Sequence, residues 1–598
     1  MEGTVGTTVT RRRVIAGMGM GALGLAGSAL LGCGSSKNSG GSAGGSAGGS
    51  AGGSAGGDTG SKTVTSQTGV ETLPLTAPVA QGKPRKGGTY TITVGPVTYV
   101  EHDAHTMRGR GEFHFISEKL TECDPVTAKT LPHVATSWEI ADPNGMTLIF
   151  KIRNDLKVHN VAPWNGRQFD ATDVAWNLER LGGLYAERLK IAPSAFQRAT
   201  MVQNILKAEA VDKTTVKVTL SSPNSGLFAG VSENRTVLMP KEMDEVGFND
   251  PMKFGGIGPY QMAEFKKDQT IRFKKYDQYF RQGEPSFDEV VMPAIPDRAS
   301  QLAAFATGQL NAWTGLSETE AEQVKKARAD HLLYTWIDCN WNHVRPSMTY
   351  APFQDFRVRN AMHLALDYAS IGNGVYGSGW GYQGALNVGF PEAWKPAKVK
   401  VLPGYNPDTK TADRAEAQKL LAAAGYPNGK GLDYDILLSV TGDAQKDVAT
   451  RFQSQMTSVF TDMKVSLRPV DSGAFSTQQA NGTFKALSYV ITSSPDAVLD
   501  MISQYHSAGS RNYGAFKNKD VDTLLDKALK ELNQENRTKL MDEFQTRFVS
   551  EWRPMYVMHA NAVRNVTQSN IGGYDKLAGT WFGYSEGTKI CRLSYLDK

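Results

Sequence analysis

A low-complexity tract near the start of the chain limits where a folded domain can begin. Residues 40–57 repeat Gly-Gly-Ser-Ala. Such a tract forms a flexible coil and cannot bury enough apolar surface to fold. The stretch from there to about residue 83 is rich in Thr, Ser, Pro and Gln. We therefore expect residues 34–85 to be a flexible tether, with order beginning near Lys86.

The residues before the tether have the order of an export signal. Three arginines, at 11–13, precede an apolar, glycine-diluted stretch, and Leu30-Leu31-Gly32-Cys33 follow. A basic start, a short apolar core and small residues are typical of such signals. The arginines resemble a twin-arginine signal, with Sec export left open. The ending resembles a lipobox, which implies that residues 1–33 are the signal and that Cys33 is lipidated. A plain N-terminal membrane anchor is the alternative.

Length and charge narrow the class of protein. A chain of 598 residues exceeds what one hydrophobic core usually serves, so we expect two or more domains. The formal net charge of +5 is small for this length and predicts no nucleic-acid partner. Of the four cysteines, Cys33 belongs to the signal, and the other three permit at most one disulfide.

Hydrophobic periodicity indicates a mixed α/β chain. Alternating residues predict strands, and capping residues before apolar stripes predict helices. The predicted strands are 89–94, 146–152 and 215–220. The predicted helices are 174–181, one capped by Asp297 and stopped at Gly308, 355–367, 411–424, 520–532 and 536–551.

Motifs of catalysis and metal binding are scarce. His102 and His105 are three residues apart, but no further ligand motif accompanies them, so we expect no metal site. No nucleophile motif or acid–base carboxylate pair stands out in the folded region, although folding could assemble one. We expect no catalytic residues, no cofactor and no enzymatic activity.

From Lys86 onward the chain resembles the family 5 extracellular solute-binding proteins, the oligopeptide, dipeptide and nickel type. The matching segments follow one another over nearly the whole mature region. They are 86–89 (KGGT), 131–139 (LPHVATSWE), 150–159 (FKIRNDLKVH), 169–174 (FDATDV), 256–260 (GIGPY), 276–280 (YDQYF), 355–361 (DFRVRNA), 420–427 (LLAAAGYP) and 521–525 (VDTLL).

This resemblance implies a fold of the α/β class, a two-lobed clamp like the large three-domain type II periplasmic binding proteins. Two chain crossings, near 340–344 and 554–559, would form its hinge. The expected domains are lobe I at 86–130, 255–345 and 555–598, an extra domain at 131–254, and lobe II at 346–554.

The resemblance also implies a function. The chain would capture a peptide or similar small solute outside the cytoplasm and deliver it to an ABC permease in the membrane. We expect a monomer held at the cell membrane through Cys33, facing the periplasm or the cell exterior. The alternatives are a secreted hydrolase, a receptor-like adaptor, or a binding protein for an oligosaccharide or a metal chelate.

One departure from the family pattern concerns the ligand. Peptide binders of this family carry a W-x-x-D-Y-x-x-P segment whose aspartate holds the ammonium group of the peptide. Aligned on Pro495, the tryptophan position is Ser488 and the aspartate position is Ile491. Isoleucine cannot pair with an ammonium, and a buried unpaired charge is costly. Asp496 could substitute from a nearby position.

The resemblance also implies the ligand-binding residues. The loop after the first strand should face the cleft, residues around the altered segment should line the other wall, and two further residues lie at the first crossing. The expected residues are Tyr99, Glu101 and His102 in the loop, Tyr489, Asp496, Arg511, Asn512 and Tyr513 in the wall, and Trp341 and Asn342 at the crossing.

Overall fold

The structure is a computed structural model. It describes residues 76–93, 103–106, 113–196, 198–440, 442–579 and 592–597. The signal, Cys33 and the tract at 40–57 lie outside these ranges. Within the ranges no helix is both long enough and apolar enough to span a membrane.

The amino-terminal part of the described chain is mainly antiparallel strands with short helices. Its elements are β1 (Lys83–Arg85), β2 (Thr89–Thr91), α1 (Phe113–Ile116), β3 (Thr121–Cys123), β4 (Thr130–Pro132), β5 (Ala135–Ile140), β6 (Thr147–Ile152), α2 (Ala171–Leu181), α3 (Ala186–Leu189), β7 (Ile205–Asp212), β8 (Thr215–Leu220), α4 (Leu227–Gly230) and α5 (Met243–Val246).

A second group of elements leads to the first crossing. These are β9 (Tyr260–Lys266), β10 (Thr270–Lys275), β11 (Glu289–Pro293), α6 (Arg298–Ala306), β12 (Ala312–Trp313), α7 (Glu318–Ala327) and β13 (Leu332–Ile337).

The remaining part alternates strands and helices and then returns. Its elements are β14 (Asn340–Pro346), α8 (Phe356–Ala365), α9 (Tyr368–Tyr376), β15 (Trp380–Gly381), α10 (Pro396–Lys400), α11 (Lys410–Ala423), β16 (Asp433–Ser439), α12 (Asp443–Val459), β17 (Lys464–Val470), α13 (Ser472–Asn481), β18 (Ala486–Thr492), α14 (Ala497–Tyr505), α15 (Lys519–Lys530), α16 (Gln534–Arg547), β19 (Tyr556–Val557), β20 (Ala560–Thr567), β21 (Ile571–Gly572) and β22 (Ser594–Asp597).

The strands assemble into separate sheets. What we call the first lobe holds the sheets β2-β11-β10-β9, β12-β20-β13 and β1-β22-β21, and also the sheet β5-β6-β8-β7 with its helix α2. What we call the second lobe is built on one five-stranded sheet, β17-β16-β18-β14-β19. Strands and helices are mixed in both lobes, which confirms the expected α/β class.

Each face of the five-stranded sheet is covered by a hydrophobic cluster. Val344 of β14 belongs to the cluster that includes α8, α11 and α12. Trp341 points to the other face and packs in the cluster of α14, α15 and α16. Odd and even positions of a strand point to opposite faces, so this division follows from the sequence of β14. The second lobe is therefore a sheet between two helical layers.

Local signals explain several element bounds. Asp170 caps α2 in a capping box with Asp173, so the helix starts three residues before the predicted Val174. The predicted helix 355–367 corresponds to α8, which ends two residues earlier than predicted. Leu366 has an extended ψ of 133°, and Asp367 begins α9 by accepting a hydrogen bond from the N–H of Ser370. An aspartate in this position competes with helix continuation because its side chain caps a new helix.

Candidate ligand-binding cleft

Two adjacent two-residue connections carry the chain between the lobes. One joins β13 to β14 and the other joins β19 to β20. The connections are hydrogen-bonded to neighbouring strands. The N–H of Asp338 donates to the carbonyl of Asn561 at 3.0 Å, and the N–H of Met558 donates to the carbonyl of Asn342 at 3.1 Å. Rotation about two short segments of this kind is the geometry of a hinge.

The connections enter the second lobe at one edge of its sheet. Strands β16, β17 and β18 are parallel, and β14 is antiparallel to β18 with Asn340 opposite Thr492. The start of β14 therefore lies at the carboxyl ends of the parallel strands. This edge faces the first lobe, and the carboxyl edge of such sheets is where α/β proteins bind ligands.

A chain of polar groups lies at this edge. The side-chain amide of Asn340 donates to both carboxylate oxygens of Asp338, at 3.0 and 3.2 Å. The hydroxyl of Thr492 donates to the side-chain oxygen of Asn340. Burial raises the pKa of Asp338 to about 6, and the hydrogen bonds from Asn340 act against that rise. Asp338 belongs to no sequence motif, so no signal in the sequence points to it.

Aromatic side chains share one face of β14 and β18. His343 lies opposite Tyr489 in the strand register, with ring centroids 5.8 Å apart. The ring of Trp341 is 5.6 Å from His343, and the ring of Tyr513 is 6.1 Å from Tyr489. Burial, reinforced by nearby arginines, holds the pKa of His343 well below its usual range. The histidine in this wall is therefore neutral at physiological pH.

The residue at the family aspartate position is part of the apolar interior. Ile491 pairs with Trp341 across the strands and is 1% exposed. It belongs to a hydrophobic cluster with Leu386 and Phe390 from the loop after β15. This environment would not stabilise the charge of an ammonium group.

Asp496 is buried and occupied by other parts of the protein. Its carboxylate accepts a hydrogen bond from the N–H of Leu499, so it caps α14. Both carboxylate oxygens also accept hydrogen bonds from Arg537, at 2.5 and 2.6 Å. Because its charge is already paired, this carboxylate is a poor replacement for the missing aspartate.

Arg511 and Asn512 also make internal contacts. The guanidinium of Arg511 pairs with Asp500 at 2.6 Å and donates to the carbonyl of Thr492 at 2.6 Å. The side-chain amide of Asn512 donates to the carbonyl of Phe516 at 2.6 Å and closes a turn. Arg511 thus fixes the end of β18, while Asn512 shapes the loop that carries Tyr513.

Asn342 is tied to the helix on the opposite face of the sheet. Its side-chain amide donates to the hydroxyl of Tyr376, at the end of α9, at 2.6 Å. Its side-chain oxygen is buried without a hydrogen-bond partner in the described chain. A buried amide oxygen in that condition can accept a hydrogen bond from a bound molecule or water.

A groove of about 1040 Å³ separates the lobes beside α9. The first lobe contributes the start of α7 and residues of β20, and the second lobe contributes the end of α9 and the start of α12. The lobes touch at its side, where the carboxylate of Glu318 accepts hydrogen bonds from the N–H of Ser378 at 3.0 Å and from its hydroxyl at 2.8 Å. A volume of this size suits a small organic ligand.

The lobes also touch on the other face of the five-stranded sheet. There the N–H of Ser225 donates to the carbonyl of Leu529 at 2.9 Å, and the hydroxyls of Thr200 and Ser510 are 3.2 Å apart. Contacts on both sides of the connections mean that the lobes are closed on each other.

Not all of the predicted site residues fall within the described ranges. Tyr99, Glu101, His102 and the lipidation site Cys33 lie outside the described residues. Cys123 and Cys339 are buried, and neither forms a disulfide within the described ranges. In the ranges that the structure describes, no group of three or more His, Cys, Asp or Glu side chains is arranged to hold a metal ion.

Comparison with known proteins gives the family. Residues 129–512 match the family described as bacterial extracellular solute-binding proteins, family 5 Middle. Heme-binding protein A of Haemophilus influenzae is 24% identical over 500 residues, which cover 78% of this chain and 86% of that protein. Glutathione-binding protein GsiB of Escherichia coli is 24% identical over 470 residues, which cover 76% of this chain and 85% of that protein.

Solved structures share the fold. DppA from Helicobacter pylori, in complex with the peptide STSA, has a TM-score of 0.72 at 21% identity, over 86% of this chain and 99% of that chain. The periplasmic binding protein AgaA from A. tumefaciens, in complex with agropinic acid, has a TM-score of 0.71 at 21% identity, over 86% of this chain and 99% of that chain. These likenesses confirm the expected clamp fold. The chain belongs to the family 5 bacterial extracellular solute-binding proteins, which capture solutes for ABC importers.

Proposed function

We propose that this protein binds one small organic solute between its lobes, closes over it and presents the closed form to an ABC permease. The observation that carries the proposal is the pair of short connections beside an interlobe groove of about 1040 Å³. A solute that contacts both lobes stabilises the closed arrangement because it has less to contact when they separate. We propose that the protein acts as a monomer and without catalysis.

For the site, we propose that the solute lies at the carboxyl edge of the five-stranded sheet. Trp341, Tyr489 and Tyr513 would line that edge from one face of β14 and β18, and Asn342 from the other face. The loop with Tyr99, Glu101 and His102 would form the opposing wall. Asp496, Arg511 and Asn512 would support the side of β14 and β18 through their internal contacts and not touch the solute.

For the ligand class, we propose a peptide or similar small solute that is not held by an ammonium at position 491. The relatives are named for heme and glutathione, and similar structures hold a peptide and agropinic acid, so the fold accommodates varied solutes. The buried Ile491 and the Arg537-paired Asp496 support a recognition mode without the usual ammonium anchor.

For the domain division, we propose to place lobe boundaries at the connections. Strand β14 runs over Asn340–Pro346 and β19 over Tyr556–Val557, and both belong to the five-stranded sheet. Boundaries at 345/346 and 554/555 would assign these strands to the other lobe. Boundaries after residues 339 and 557 keep the sheet whole.

The solute can be sought by native mass spectrometry of the mature protein, followed by a thermal-shift panel of peptides, oligosaccharides and metal chelates. A co-purified solute, or a panel compound that raises the unfolding temperature and is recovered unchanged, supports binding without catalysis. Conversion of that compound by the protein would contradict the proposal.

We further propose that Cys33 anchors the protein to the membrane through a lipid. Fractionation of cells that express the full chain tests this. The wild type should sediment with membranes, and Cys33→Ser should lose the lipid mass and appear in the soluble fraction. A Cys33→Ser variant that stays with the membrane would favour a plain N-terminal anchor.

A further inference from the structure

An arginine in the interlobe groove forms no ion pair in the described parts of the chain. Arg564 of β20 lines the groove beside α9 and is 7% exposed. The described parts of the chain provide no hydrogen bond to its guanidinium and no carboxylate within ion-pair distance. A buried arginine is ordinarily paired, because a buried charge without a partner destabilises the folded protein.

One carboxylate acts on Arg564 without forming an ion pair with it. The charge of Glu318 acts on Arg564, while its two oxygens accept hydrogen bonds from Ser378. Burial lowers the pKa of Arg564 more than Glu318 raises it, and an arginine nevertheless stays protonated in a protein. The groove therefore carries a positive charge that is partly withdrawn from solvent and not directly paired with a carboxylate of the described chain.

A second observation places the guanidinium at the boundary between the lobes. Arg564 comes from β20 of the first lobe, and Gly379 comes from the segment between α9 of the second lobe and β15, which pairs with β20. A Cβ atom added to Gly379 would lie 2.5 Å from a terminal nitrogen of Arg564. The glycine thus leaves room for the guanidinium beside the junction of the two lobes.

The other arginine of the groove is a useful contrast. Arg298 forms two hydrogen bonds with the carboxylate of Glu320, at 2.7 and 2.8 Å, and its guanidinium lies 4.5 Å from the ring centroid of Trp313. Its charge and its donors are satisfied within the protein. Arg564 has the same chemical group without those partners.

Resting on the function proposed above, we infer that Arg564 binds a carboxylate group of the transported solute at the floor of this groove. A guanidinium presents paired N–H donors that match the two oxygens of a carboxylate. The groove mouth carries exposed acidic side chains, Glu322, Asp443 and Asp447. These are screened by solvent but repel added negative charge, so the solute carries one inward carboxylate and is not a polyanion.

The test uses acetate as the probe, with chloride at the same ionic strength as the reference. Thermal unfolding of the mature protein is followed as acetate is increased, for the wild type, Arg564→Met, Arg564→Lys and the control Lys326→Gln. Lys326 is an exposed residue of α7 that does not line the groove, so its variant loses one charge nearby without loss of the site.

Acetate should raise the unfolding temperature of the wild type and of Lys326→Gln in a saturable manner. The half-saturating concentration should be at least ten-fold higher in Arg564→Met and intermediate in Arg564→Lys. Without acetate, Arg564→Met should unfold at the same or a higher temperature than the wild type, because methionine fills the site without a buried charge. This last result separates loss of binding from loss of folding.

An equal response to acetate in the wild type and Arg564→Met, or no response in either, would overturn the inference. The proposed function is judged separately. If a panel solute stabilises the wild type and Arg564→Met with the same affinity, the protein still binds a solute, and only the role of Arg564 is wrong.

Discussion

Asp496 and Arg537 form a buried ion pair, in which both carboxylate oxygens lie 2.5 and 2.6 Å from the same terminal nitrogen of the arginine. The pair joins the start of α14 to α16. Since Asp496 follows the altered family segment closely, its occupation by Arg537 bears directly on the ligand. The carboxylate nearest to Ile491 in sequence serves the fold, which leaves the ammonium of a peptide without its usual partner.

The first prediction concerns that pair. Asp496→Asn should lower the free energy of unfolding by about 3–5 kcal/mol, because Arg537 would keep its buried charge without a carboxylate. Denaturant unfolding measures the change. As a control, Glu535→Gln removes an exposed partner of Lys539 and should change stability little. A small effect of Asp496→Asn would mean that Asp496 is available to a ligand.

Asp338 predicts a pH dependence of stability. Its pKa is raised from 3.8 to about 6 by burial, so the folded protein holds this proton more tightly than the unfolded chain. The charged form therefore destabilises the fold, and that cost grows as pH rises from about 4 to 7. As the pH rises over this range, the free energy of unfolding of Asp338→Asn should increase relative to that of the wild type by up to about 3 kcal/mol.

Denaturant unfolding at several pH values measures that difference. The control Asp462→Asn removes an exposed carboxylate from a loop. If the free energies of unfolding of Asp338→Asn and the wild type differ by the same amount from pH 4 to 7, Asp338 is not held in a desolvated site.

His343 predicts a pH dependence of the opposite sign. Neither ring nitrogen has a hydrogen-bond partner in the described chain, and burial holds the pKa of His343 well below 6.5. Below pH 6.5 the unfolded chain binds a proton that the folded protein does not. The free energy of unfolding therefore decreases as the pH is lowered. When the pH is lowered from 7 to 5, the free energy of unfolding of His343→Phe should decrease by about 2 kcal/mol less than that of the wild type. Denaturant unfolding at both pH values measures this. An equal decrease in His343→Phe and the wild type would contradict the burial of a neutral ring.

The contact between Glu318 and Ser378 predicts an effect on solute affinity. Ser378→Ala removes the hydroxyl hydrogen bond across the lobes and leaves the one from the N–H. The closed form should become less stable relative to the open form by about 1 kcal/mol, which weakens solute binding roughly five-fold. Calorimetric titration with the tightest solute of the panel measures this. Ser458→Ala, at an exposed position of α12 that does not line the groove, is the control. Equal affinities of Ser378→Ala and this control would exclude the contact from closure.

Much of the fold follows from local sequence. Strand β8 has the predicted bounds, and helix α6 begins after Asp297, as its capping side chain indicates. The connections lie at residues 338–339 and 558–559, close to the expected crossings. The predicted helix 355–367 is found as α8, and its end differs by two residues because Asp367 caps the next helix.

The site was less accessible to sequence reasoning. Asp496 was a candidate anchor by proximity, but its partner Arg537 is 41 residues away and only the fold brings them together. Arg564 has no motif, and its burial depends on the pairing of β20 with strands more than two hundred residues earlier. Partners distant in sequence therefore decide which charged groups are free for a ligand.

Closure of the two lobes over a solute is the claim on which the account depends. Small-angle X-ray scattering of the mature protein, with and without a solute that raises its unfolding temperature, tests this most directly. The account predicts a smaller radius of gyration when the solute is bound. Superimposable scattering profiles in both conditions, for every such solute, would contradict it.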